Sequence, residues 1–105
     1  MLMPNVHPSL MLPTEAARLL AGRVKGLRLL RGWKQTTLAV RAGVTVASLK
    51  RFERTGLVSL ESLLKLAHAL GRLPEFAELL RPPEAQSIAE LEARDSRPAR
   101  KRGRL

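Results

Sequence analysis

The sequence contains no cysteine and no tyrosine, and its only large aromatic side chains are Trp33, Phe52 and Phe76. Without cysteine there is no disulfide framework, no thiolate zinc site and no cysteine nucleophile. Two histidines, His7 and His68, cannot hold zinc without several carboxylates, so no metal is expected. Readers of single strands and of RNA stack bases on aromatic platforms, and three rings make that mode unfavourable. No segment approaches the ~20 consecutive apolar residues of a membrane span, so no membrane partner is expected. The stretch from Met1 to Ala17 lacks a basic start and is interrupted by Pro4, Pro8 and Pro13. It makes a poor signal peptide, and a cytoplasmic location is the expectation. At 105 residues the chain is too short for a two-domain enzyme, or for a barrel of about 200 residues or more.

What is present is positive charge and helical spacing. The formal charge is +10, and 45% of the residues are apolar, enough for one small core. The charge is segregated. Residues 1–56 carry ten Lys/Arg and two Glu, residues 57–93 three Lys/Arg and six Glu, and residues 94–105 six Lys/Arg and one Asp. A basic front, an acidic middle and a basic end attract a polyanion at two places and not at the third. Helix surfaces solvated by Lys and Arg would explain the number of charges but not their segregation.

Strand patterns are missing and β-branched residues are sparse, so the fold class expected is all-α. The first helix is expected to start with Thr14 as N-cap after Pro13, with Leu20, Val24, Leu27 and Leu30 on one face and Gly32 as its stop. A short second helix runs from Gln35 to Ala42 and ends at Gly43. Thr45 caps a third, Val46 to about Arg54, with Leu49 and Phe52 inward. Ser59 caps a fourth with apolar positions Leu60, Leu63, Leu64, Leu66, Ala67 and Leu70, closed by Gly71. A fifth begins at Pro74, carries Phe76, Ala77, Leu79 and Leu80, and stops before Pro82–Pro83. Ser87 to Glu90 forms a capping-box pattern for a short helix over 87–94, with Ile88 and Leu91 to bury. The organisation expected is a flexible leader 1–13, a five-helix domain 14–81, and a Pro/Arg-rich tail 82–105.

The stretch Gln35 to Glu53 (QTTLAVRAGVTVASLKRFE) reads as helix, glycine turn, helix. Ala39 and Gly43 are small where the two helices cross. Leu38, Val44, Leu49 and Phe52 lock the crossing, as a helix-turn-helix requires. The second helix of such a pair fits a major groove about 12 Å wide, and its outward residues are Val46, Ala47, Ser48, Lys50, Arg51 and Arg54. Over residues 18–72 the sequence resembles the XRE/Cro family of five-helix, lambda-repressor-like DNA-binding domains. The resemblance implies that Gln35 touches the DNA backbone and Thr45 donates to a phosphate. It places Val46, Ala47 and Arg51 at base-facing positions, and it implies a structural ion pair between Arg28 and Glu53. The sequence departs from the family pattern at Val46 and Ala47, which cannot make bidentate hydrogen bonds to bases but can meet thymine methyls. Ser48, Lys50 and Arg51 then carry the polar readout. That departure puts strong specificity per subunit in doubt, and a dimer or a larger complex is the remedy.

From Leu60 to the Arg-rich end the sequence is similar to HipB-type antitoxins, through Leu60–Gly71, Leu73–Leu80, Pro82–Glu92 and the basic terminus. This resemblance implies a homodimer on double-stranded operator DNA, repression of its own operon and capture of a HipA-type kinase toxin. Independently of it, Phe76, Leu79, Leu80, Ile88 and Leu91 are apolar residues available to a dimer or partner interface. The alternative is a regulator of a phage or mobile element without a toxin. The basic tail (Arg97, Arg100, Lys101, Arg102 and Arg104) has three readings: a DNA-tracking arm, a dock for an acidic toxin surface, or a solubilising end. Trp33 reads as a corner-packing residue, and His68 as half-buried packing. Nothing reads as a catalytic residue or a cofactor site. There is no nucleophile–base pair, phosphate-cradling glycine loop or metal cluster, so no enzyme and no cofactor are expected.

Overall fold

A computed structural model of the chain describes residues 10–84 and 92–93. Five helices follow one another: α1 (Pro13–Leu30), α2 (Gln35–Ala42), α3 (Val46–Thr55), α4 (Leu60–Ala69) and α5 (Leu73–Ala77). There is no strand among the described residues, as an all-α chain requires. Of the helix expected over 87–94, Glu92 and Ala93 are helical, and its other residues lie outside the described ones. So do most of the leader (1–9) and of the tail.

The core forms where α3 packs on α1 and α2, and α2 packs in turn on α4. Its largest fully buried side chains are Phe52, Leu38, Leu49 and Leu66. Trp33, Val44 and Phe76 lean on that cluster from its edges. α5 rests on α4 and extends the layer.

Two of the expected starts and faces shift. α1 begins at Pro13 with Leu12, not Thr14, in the cap position. Proline at the first helical position has no N–H to satisfy and brings its φ already set. Glu15 then completes the end, its Oε1 accepting the Leu12 N–H at 2.9 Å. The buried face of α1 is also rotated from the leucine stripe. Ala21, Val24 and Arg28 are buried, whereas Leu20 is exposed and Leu30 is 84% exposed. The cause is close approach. Gly56, at the end of α3, sits so near α1 that a Cβ there would lie 3.1 Å from the backbone carbon of Ala17. Only small residues fit that crossing, and Ala17 and Ala21 set the face.

α4 keeps Leu63, Leu66, Ala67 and Leu70 inside but leaves Leu60 exposed. His68 is exposed rather than half-buried, because two residues from Leu66 is the opposite side of a helix. α5 is shorter than its apolar spacing suggests. The bonds from the Glu75, Glu78 and Leu79 N–H groups reach back only three residues, which tightens the segment. Pro82 then bars Arg81 from helical geometry. Leu79 and Leu80 therefore fall beyond the helix, and Leu80 adopts a left-handed φ of 58° with 97% of its surface exposed.

Gly43 and Gly56 both have positive φ (78° and 86°), but only Gly56 is crowded by another helix. Alanine at Gly43 should cost the ~1–2 kcal/mol of a left-handed alanine. At Gly56 a further ~1–3 kcal/mol of overpacking should add to that. Guanidinium unfolding midpoints of the two variants measure the gap, and equal losses would mean that α1 moves aside freely.

Candidate nucleic-acid interface

α2 ends in a pattern that aims the chain into α3. The Gly43 N–H reaches the carbonyls of Ala39 (2.9 Å) and Val40 (3.3 Å), and the Val44 N–H doubles back to Ala39 at 3.0 Å. This is the glycine-closed helix end, which needs the left-handed φ that Gly43 supplies. Val44 and Leu49 occupy the positions flanking the next cap; Leu49 belongs to the core cluster and Val44 packs against it, which fixes the entry angle of α3. The Thr45 Oγ1 accepts the Ser48 N–H at 3.0 Å, so its own hydroxyl hydrogen remains free to donate outward.

One side of α3 is buried through Leu49 and Phe52. On the other side Ala47, Arg51 and Arg54 recur at steps of four and three, and all three are exposed. Lys50, also exposed, stands beside that stripe. No carboxylate pairs with Lys50, Arg51 or Arg54 among the described residues. Val46 and Ser48 are only half-exposed. Val46 lies three residues before Leu49, at the margin of the buried face, and leans on the core rather than pointing fully outward.

A single charged group locks this helix to its neighbours. The Arg28 guanidinium on α1 makes a two-pronged bond to Glu53 on α3, Nε to Oε2 at 2.8 Å and Nη2 to Oε1 at 2.9 Å. Its Nη1 donates to the Trp33 carbonyl at 2.8 Å. Gln35, at the first turn of α2, donates its Nε2 to Glu53 Oε1 at 2.9 Å. The Arg28 and Glu53 side chains are 8% and 5% exposed, so three helices meet on a nearly dry, hydrogen-bonded pair. Gln35 has one amide hydrogen and its carbonyl oxygen left over.

The structure thus joins Arg28, Glu53 and Gln35, and spreads Thr45, Ala47, Lys50, Arg51 and Arg54 over one exposed surface. Phe76 is half-buried against the core, and Leu79 and Leu80 are exposed. Ile88, Leu91, Arg97, Arg100, Lys101, Arg102 and Arg104 lie outside the described residues. The sequence pattern does not single out Arg31 and Arg41, whose guanidinium carbons stand 5.0 and 4.6 Å from the Trp33 ring centre. The hint available beforehand was a lone tryptophan in a basic neighbourhood.

A family model described as helix-turn-helix matches residues 24–76, from the middle of α1 into α5. The chain belongs to the helix-turn-helix family. Within it the chain is of the XRE type, a small lambda-repressor-like all-α fold and a DNA-binding transcriptional regulator. No curated protein and no solved structure matches it. Among the described residues no helix is long and apolar enough to cross a membrane.

Removing one partner of the buried pair leaves the other charged and unpaired. Glu53→Ala should therefore lose about 3–5 kcal/mol of stability. The double variant Arg28→Met/Glu53→Leu, which removes both charges and refills the space, should recover most of that loss in denaturant unfolding. A double variant no more stable than Glu53→Ala would show that the hydrogen bonds to Trp33 and Gln35 carry the site.

Proposed function

We propose that this regulator is a repressor that binds operator DNA as a homodimer and serves as the antitoxin of a HipA-type kinase toxin, controlling its own operon. The observation that carries the DNA part is the unpaired stripe of α3. A helix buried on one side offers Ala47, Arg51 and Arg54 on the other, next to the donor at Thr45. Arg51 has the fork that matches the O6 and N7 of guanine, and Ala47 has a methyl suited to thymine. Gln35 and Thr45, with donors to spare at the N-terminal ends of α2 and α3, suit phosphate oxygens and set the register. Lys50 and Arg54 add charge at the groove edge. The basic terminus at Arg97–Arg104 supplies further attraction for the polyanion.

Charge and apolar surface support a second copy at α5. A largely apolar hollow of about 440 Å³ runs between α1, α4 and α5, lined by Leu20, Leu27, Leu63, Phe76 and Leu79 among others. Leu80, held out by its left-handed backbone, stands just past it in the chain. Of the charges around it, Arg72 pairs with Glu75 and Arg81 with Glu78, while Arg23 also lines the hollow. Two copies of a chain carrying +10 repel each other over most of their surface, and this edge is where they approach at least cost.

The toxin reading rests on sequence similarity from Leu60 to the Arg-rich end. Co-expression with the product of the neighbouring gene tests it. A kinase that co-purifies supports it, and a neighbourhood of phage genes with no kinase favours the toxin-free alternative.

Mobility shifts on the fragment upstream of its own gene test the repressor reading. Arg51→Ala should weaken binding there by about 1–3 kcal/mol and leave random duplex nearly unaffected. Equal losses on both would reduce Arg51 to a phosphate contact. Leu80→Asp, at a position with nothing to destabilise inside the fold, should sediment as a monomer. A dimer would move the interface away from α5.

A further inference from the structure

The corner between α1 and α2 carries a cluster of cations that the recognition surface does not use. Arg31 closes α1, Lys34 precedes α2, and Arg41 lies in the last turn of α2. All three are exposed, and none has a carboxylate partner among the described residues. Two of them are held in place. The Arg31 and Arg41 guanidiniums both stack on the Trp33 ring, at 5.0 and 4.6 Å. Arg31 is tethered further by its Nη2 bond to the Leu70 carbonyl at 2.9 Å. Among the described residues the Arg41 guanidinium has no hydrogen-bond partner.

Stacking uses the flat face of a guanidinium and leaves its edge of N–H donors pointing away from the ring. Holding two like charges on one ring costs Coulomb energy that a bound anion reverses. Because the ring already restricts both side chains, an anion meets donors whose rotamer entropy is partly lost. The corner is also fixed relative to α3, since the Trp33 carbonyl is bonded to the same Arg28 that grips Glu53. With α3 in a major groove, α2 and the corner before it face the phosphates that border the groove.

The geometry points to Arg31, Trp33 and Arg41 forming a phosphate clamp, with Lys34 alongside, that grips the DNA backbone outside the bases read by α3. This rests on the DNA-binding reading above and adds contacts to it. Trp33 takes no part in base stacking. Its role is to hold the two guanidiniums, making it a positioning residue.

The test measures affinity for the upstream fragment and for a random duplex over a range of salt, with ethylation interference to map phosphates. Each phosphate contact contributes about 0.9 to the slope of log affinity against log salt. Arg41→Gln should lower that slope by about one, and Arg31→Gln/Arg41→Gln by about two. The ratio of specific to random affinity should stay within about twofold. Interference should vanish at the flanking phosphates of each half-site and persist at those nearest Thr45. Trp33→Leu, which keeps both charges, should weaken affinity for both DNAs several-fold. A melting curve checks that it still folds, and the Arg41 variants decide the matter if it does not. A wild-type chain that binds the fragment, with slope and interference pattern unchanged in the double variant, overturns the clamp alone. A wild-type chain that binds neither DNA overturns the repressor reading and the clamp together.

Discussion

The fold is organised around one buried charge pair. Burying a guanidinium and a carboxylate costs several kcal/mol each in lost hydration, and the cost is offset only where the pairing geometry is good and further hydrogen bonds support it. Here Arg28 spends Nε and Nη2 on Glu53 and Nη1 on the Trp33 carbonyl, while Glu53 takes a further bond from Gln35. An apolar pair of the same volume would pack the same space without specifying its angles. Fork against carboxylate has one good geometry. It sets how α3 leans on α1 and α2, so the orientation of the recognition helix is the property this pair controls most directly.

Around that pair the surface divides by charge. Carboxylates are absent from α2, and the one on α3 is Glu53, turned inward. The cations of the helix-turn-helix and of the corner before it thus stand unneutralised. Apart from Glu15 at the start of α1, most of the described acids sit on α4, α5 and the turn after it, where Glu61, Glu75 and Glu78 pair with Lys65, Arg72 and Arg81 over three or four residues. Exposed pairs of this kind add little stability. Their effect is on where the field points, leaving the polyanion-facing side positive and the far edge close to neutral.

Much of this was legible in the sequence because it is local. The Gly43 turn, the Thr45 and Ser59 caps and the inward Leu49 and Phe52 depend on residues within one or two helical turns of each other. The failures have a common cause in contacts between distant segments. The leucine spacing in α1 is a true helical stripe, but burial goes to Ala21 and Arg28, because Gly56 must come within van der Waals contact of Ala17 and Glu53 must find its partner. Residue hydrophobicity ranks leucine above both, so it places Val24 and Leu27 rightly but takes Leu20 and Leu30 where Ala21 and Arg28 are buried. α5 is cut short by three-residue bonds whose competition with α-helical ones is not encoded in apolar spacing. The stacking on Trp33 joins residues eight and two positions away across a corner, a distance that only the folded chain closes.

The composition of the exposed stripe also bears on how such a protein achieves selectivity. Specific complexes typically exceed random binding by about 4–10 kcal/mol, and one good bidentate side chain supplies ~1–3 of that. With alanine at 47 and a half-covered valine at 46, a single α3 has few groups able to supply it. If the proposed contacts form, cations at Arg31, Lys34, Arg41, Lys50 and Arg54 strengthen attachment to any duplex, and on their own they narrow the relative preference for one site in a genome of competitors. Selectivity then has to come from geometry. In the homodimer proposed above, two copies of α3 held at a fixed separation would count the same few base contacts twice and demand the right spacing between half-sites. On the proposed dimer reading, that requirement gives the apolar hollow beside α5 a part in selectivity that the cations of α2 and α3 do not supply.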